Sequence, residues 1–219
     1  MGDKKVINPE KIKAEDLAYW YLRLNGFLTI KNFVLHPDQG SDPRTEFDIL
    51  GVRFPDRKEL PTKPMDDDQI FTKIKDKPYI VISEATTSTC KLNPCWEEKD
   101  KKIYYMVLKA IGTFKEDEII EKVAQGLYCD GTYEDGQYYV SLLCIGKEQS
   151  EKVKEQHEKI NQITWDYVLK FIHERFDKFN VQKSCHCQWD TEGQLLWDVF
   201  EMHRRKQSEF VACIERVLI

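Results

Sequence analysis

The spacing of apolar side chains divides this chain into a mixed series of helices and strands. Ile12, Leu17, Trp20, Tyr21 and Leu24 recur at helical spacing and predict a helix over residues 9–25, stopped by Asn25-Gly26. Residues 27–35 are rich in β-formers. Over residues 45–54, Phe47, Ile49 and Gly51 alternate with Glu46, Asp48, Leu50 and Val52, the two-residue period of a strand. The turn-forming stretch His36-Pro37-Asp38-Gln39-Gly40-Ser41-Asp42-Pro43 joins the two strands as a hairpin. Residues 56–76 carry prolines, the run Asp66-Asp67-Asp68 and little periodicity, so an exposed, mobile insertion is expected there. The continuous apolar run Tyr79-Ile80-Val81-Ile82 predicts a buried central strand that emerges at Ser83-Glu84. Asn93 before Pro94 is a helix start, with the helix continuing to about residue 111. Two further strands are expected at residues 125–129 and 137–145, with the reversal marked by Asp130-Gly131 and Asp135-Gly136. From Ser150 onward the pattern is helical. Trp165, Val168, Leu169, Ile172, Phe176 and Phe179 form one stripe, and Leu195, Leu196, Val199, Phe200, Phe210, Val211 and Ile214 belong to a last helix from about Thr191.

This order predicts an α/β fold: a core over residues 1–146, with a mixed central sheet flanked by helices, and a C-terminal helical extension over residues 147–219. The extension is expected to pack on the core or to mediate assembly. Its two apolar stripes exceed what closes the sheet, which points to a homo-oligomer or a partner protein. With 41% hydrophobic positions in 219 residues, the chain can bury a core, which excludes disorder as the default. No apolar run approaches the roughly 18 residues of a membrane span, and no leader is evident, so a cytoplasmic protein without membrane contact is expected. Seven cysteines, an odd number, fit reduced thiols better than a disulfide framework. The net charge of −5 denies the chain a global basic field, so nucleic acid would be met through a local patch, a metal ion or a partner.

Two carboxylates carry the candidate chemistry. Asp48 lies on the second strand, and Glu84 directly follows an apolar run, where a carboxylate is costly to bury unless it is paired or metal-bound. The succession of helix, hairpin, acidic strand, glutamate at a buried strand's end, helix and strand pair resembles the PD-(D/E)XK nuclease superfamily. The matching segments are Thr45-Glu46-Phe47-Asp48-Ile49-Leu50 and Ile82-Ser83-Glu84-Ala85-Thr86, and the resemblance covers about residues 10–146. It implies a restriction endonuclease-like core. It further implies Mg2+ or Mn2+ held by Asp48, Glu84 and the backbone carbonyl of Ala85, with Glu15 on the first helix as a hydrogen-bonding or second-metal residue. The activity implied is hydrolysis of DNA phosphodiester bonds, in a restriction or phage-defence setting. The family's lysine stands two residues beyond the glutamate, where it shares a strand face with it. Here that position is Thr86. Lys91 takes its place if the chain turns back through Thr87-Ser88-Thr89, and Lys99 and Lys102 are further substitutes. The alternative is a catalytically inactive pseudo-nuclease acting as a nucleic-acid-binding or protein-interaction module.

The remaining motifs favour plainer readings. Cys185-His186-Cys187 lacks the second ligand pair of a structural zinc site. Trp165, Trp189 and Trp197 read as core rather than as base-stacking platforms. Lys73, Lys75 and Lys77, and likewise Arg204, Arg205 and Lys206, read as solvated faces.

Overall fold

A six-stranded mixed sheet with helices on both faces forms the frame of the protein. The structure, a computed structural model, describes residues 11–60, 66–185 and 189–219. Helix α1 (Ala14–Leu24) leads into the hairpin β1 (Leu28–Leu35) and β2 (Thr45–Arg53). A short helix α2 (Gln69–Thr72) precedes β3 (Tyr79–Ala85), and α3 (Pro94–Glu97), α4 (Ile103–Ile111) and α5 (Asp117–Asp130) follow it. Next come β4 (Thr132–Glu134), β5 (Tyr139–Gly146), α6 (Glu151–Gln156) and β6 (Asn161–Thr164). The chain closes with α7 (Trp165–Lys178), α8 (Asn180–Lys183), α9 (Thr191–His203) and α10 (Gln207–Glu215). The strand order is β1-β2-β3-β5-β4, with β6 also on the far side of β5. The β1–β2, β2–β3 and β4–β5 pairs are antiparallel, whereas β3–β5 and β5–β6 are parallel.

Strand β3 reads as an unbroken apolar run because both of its faces are covered. Val81 joins a core shared with α1, α7, α9 and α10, while Ile80 and Ile82 join a second core under α3, α4 and α5. The residues that marked the C-terminal stripes, among them Val168, Ile172, Phe176, Leu196, Phe200, Phe210 and Ile214, are buried in the first core. The stripes that pointed to an assembly face are therefore spent inside the chain. Trp165, Trp189 and Trp197 also pack there, as core residues.

Four local expectations need correction. Residues 125–129 are not a strand but the last turns of α5, whose Ile120, Val123, Ala124 and Leu127 face inward at helical spacing. The short stretch read alone concealed the longer 3.6-residue period. The helix from Pro94 does start under an Asn93 cap, whose Oδ1 accepts from Cys95 N at 3.1 Å, but it ends after one turn. It resumes in α4 only after Lys102, which sits in the left-handed region at φ 50°. Residues 147–219 are not purely helical, because β6 adds a strand to the sheet, and the expected last helix is divided between His203 and Gln207.

The fourth correction concerns residues 56–76, of which 61–65 lie outside the described residues. Asp67, Asp68 and Phe71 are buried rather than exposed. Asp68 caps α2 by accepting from Ile70 N, and its carboxylate also accepts from the hydroxyls of Tyr21 and Tyr167, both at 2.8 Å. An acidic run with no hydrophobic period is drawn inward here by hydrogen-bond donors distant in sequence, which no local pattern encodes. Lys77 is likewise not solvated: its Nζ donates to Glu134 at 3.0 Å and to the Asp135 carbonyl at 2.6 Å. Arg204 pairs with Asp177 and Lys206 with Glu209.

Candidate active site

Strands β2 and β3 bring Asp48 and Glu84 together. Their antiparallel ladder ends at Ile49 and Ser83, one step before the two acids would face each other. Beyond that point pairing gives way to a side-chain contact, in which Asp48 Oδ2 accepts from Ala85 N at 2.7 Å. The regular alternation expected over β2 also fails here. Ile49 packs into the core beside α1, whereas Phe47, two residues earlier, packs into the opposite core and stacks on Trp96 at 4.5 Å. Residues two apart on a regular strand share a face, so the pleat reverses across Asp48. The reversal is matched on β1, where Asn32, at the step between the paired residues Lys31 and Phe33, has φ 52°. Distortions of this kind re-aim a side chain next to a site.

The electrostatics of the two acids are those of negative charge that only Lys91 opposes. Burial pushes Asp48 up to about 6 despite the Ala85 N–H, and the neighbouring charges of Glu15 and Glu46 add to the rise. Burial pushes Glu84 further, to about 8, reinforced by Asp48 and Glu46 and opposed by Lys91. Glu15, which also pairs with Lys13 at 3.6 Å, is thus part of the acidic surroundings of Asp48. Glu46, an exposed strand residue of no evident motif, acts on both acids and was not singled out by sequence reasoning.

The chain does turn after Thr86, through bends at Thr87 and Ser88, and the turn is held firmly. Thr86 N donates to Ile145 O at 2.9 Å, Lys147 N to Ser88 O at 2.7 Å, and Cys90 N to Glu148 O at 2.7 Å. The returning segment delivers Lys91 to a cavity of about 490 Å³ that Glu84, Asn93, Glu97 and Lys152 also line. Thr86 itself is buried and hydrogen-bonded to Ser88. Lys99 and Lys102 line a different cavity with Tyr105 and Glu121, so neither joins Glu84. Lys152 comes from α6, more than sixty residues beyond Glu84, and no sequence signal tied it to the carboxylates.

The donor set suits a hard cation, since two carboxylates raised by burial and mutual repulsion gain from a divalent ion, and Mg2+ keeps water in its remaining positions. Ala85 is placed beside both acids, with its N–H given to Asp48. Among the described residues, no group of three or more His, Cys, Asp or Glu side chains is arranged to hold a metal. Of the Cys185-His186-Cys187 motif, the last two residues lie outside the described ones. Among the described residues no helix is long and apolar enough to cross a membrane. No protein-family model, curated protein or solved structure matches the chain.

Proposed function

We propose that the protein is a metal-dependent nuclease with a restriction endonuclease-like core, hydrolysing DNA phosphodiester bonds. The observation that carries this reading is the return of Lys91 to the cavity lined by Glu84, beside Asp48. A cation seven residues past the glutamate then stands in for the one missing at Thr86. Asp48, Glu84 and the Ala85 carbonyl would hold Mg2+ or Mn2+. Bound there, the ion supplies Lewis acidity toward a phosphoryl oxygen and acidifies a coordinated water. Lys91 offsets charge developing on the phosphate, and Lys152, which lines the same cavity, holds the nucleic-acid backbone.

Incubation of plasmid and single-stranded DNA with Mg2+ or Mn2+ tests the proposal. Cleavage is expected, abolished by Asp48→Ala and slowed about 10²- to 10⁴-fold by Lys91→Met. Absence of any Asp48-dependent cleavage with both metals and both substrates overturns it. Restoring a lysine by Thr86→Lys is a poor test, because that position is buried and its hydroxyl is used in the turn.

A second reading, the inactive pseudo-nuclease, is favoured by one observation: Glu84, at about 8, keeps its proton at neutral pH even with Lys91 opposing the rise. Calorimetric titration with Mg2+ separates the two. Binding that Glu84→Gln removes supports the enzyme, and no binding supports the scaffold.

A further inference from the structure

Two thiols that the proposed chemistry does not use lie together beneath the site. Cys144 on β5 is paired across the parallel ladder with Glu84, so the two side chains share a face of the sheet. Cys90 lies on the returning segment immediately before Lys91. The contacts between the two cysteines are reciprocal. Cys90 Sγ is 3.7 Å from the Cys144 carbonyl oxygen, and Cys144 Sγ donates to the carbonyl of Lys91, the residue next to Cys90, at 2.9 Å. Gly146 keeps this approach open, because a Cβ there would meet Cys90 N at 2.9 Å and Cys90 Sγ at 3.1 Å. Each sulfur thus lies against the backbone of the other segment, and backbone hydrogen bonds hold the two segments side by side. Access is unequal. Cys90, 2% exposed, borders the cavity, while Cys144 is fully buried behind it.

We propose that Cys90 and Cys144 are a redox modification site that closes to an intrachain disulfide under hydrogen peroxide and reopens with thiol reductants. Peroxide entering the cavity is attacked by Cys90 sulfur, so the O–O bond breaks, one oxygen stays on sulfur as a sulfenic acid, and the other leaves as water. Cys144 sulfur then attacks the Cys90 sulfur, the S–O bond breaks, and the leaving hydroxide takes the Cys144 proton as a second water. The two cysteines together lose two electrons and two protons, and one peroxide is reduced to two waters. The new bond replaces the Cys144 Sγ–Lys91 carbonyl hydrogen bond, so oxidation alters the anchoring of the residue that faces Glu84.

The test treats the full chain with graded hydrogen peroxide, blocks remaining thiols with N-ethylmaleimide in denaturant, and maps the peptides by mass spectrometry. The expected product is a Cys90–Cys144 peptide pair about 2 Da lighter than the two thiol peptides together, lost on dithiothreitol treatment. With Cys144→Ala, Cys90 is expected to stop at a sulfenic acid that dimedone traps, which reads the same step without requiring the link. Full recovery of both cysteines as blocked thiols overturns the proposal, as does linkage of either to another cysteine, or irreversible oxidation of Cys90 without linkage. DNA cleavage is not a readout here, so failure of the nuclease reading leaves this result standing.

Discussion

Strand β2 carries charge toward both of its ends, and the two are treated oppositely. Near its C-terminal end Arg53 is buried in a matched network. Asp67, 3% exposed, accepts from Arg53 at 2.8 Å, from Arg57 at 2.6 Å and from Arg175 at 3.1 Å. Glu59 beside it accepts from Lys183 at 2.6 Å and Arg57 at 3.0 Å. Against the cost of burial, Lys183, Arg57 and Arg175 hold Glu59 below the ordinary carboxylate range. Toward the other end Asp48 meets Glu84, Glu15 and Glu46, and both Asp48 and Glu84 are pushed up. One strand therefore spans a site where Asp67 and Glu59 are answered by cations and a site where acids face one another with only Lys91 opposing them. The charges of Asp67 and Glu59 are neutralised inside the chain, whereas Asp48 and Glu84 carry raised values that, on the proposed function, a metal ion would relieve.

The largest effect is expected from breaking the matched end. Asp67→Ala leaves Arg53, Arg57 and Arg175 without their shared partner, and loss of one member of a buried ion cluster costs about 3–5 kcal/mol. Urea denaturation checks this, and a loss below about 1 kcal/mol would mean that the cluster contributes little and that the contrast between the two ends is only apparent.

A smaller effect of opposite sign is expected at the unmatched end. Glu84 is protonated in both folded and unfolded chains below its ordinary value of 4.5, so Glu84→Gln leaves stability there nearly unchanged. As pH rises from 4.5 to about 8, the unfolded chain gives up a proton that the folded protein still holds, and stability is lost over that interval and levels above it. Glu84→Gln removes the loss. It is expected to stabilise the metal-free protein by roughly 1–3 kcal/mol at pH 9, discounted for partial solvation, with no gain at pH 4. A gain independent of pH would assign the effect to packing instead.

The two ends were also unequally legible in the sequence. Asp48 and Glu84 stand on strands whose apolar alternation and run length are visible locally, so their meeting follows from the order of elements. Lys91 required only that Thr87-Ser88-Thr89 turn. The matched network was invisible because its members, Arg53, Arg57, Asp67, Arg175 and Lys183, are spread over 130 positions and each resembles an ordinary surface charge. The same blindness to distance gave Asp67 and Asp68 to a loop and missed β6, four residues that become a strand only because β5 offers an edge. The reversal of the pleat at Asp48 was likewise hidden, since Phe47 and Ile49 satisfy either face when both faces are core.

A divalent ion should reduce the contrast between the two ends and thereby sharpen its meaning. At pH 7 Glu84 is mostly protonated and Asp48 mostly ionised, given values of about 8 and about 6. Mg2+ bound between them displaces the Glu84 proton, so about one proton is released per ion at pH 7 and almost none at pH 9. Apparent affinity accordingly climbs about tenfold per pH unit between 6 and 8 and then levels. Calorimetry in buffers of different ionisation enthalpy reads this directly: the heats should diverge at pH 7 and coincide at pH 9. Coincident heats at pH 7 would mean that the ion sits elsewhere or that Glu84 is not its ligand, and the unanswered acids would need another occupant.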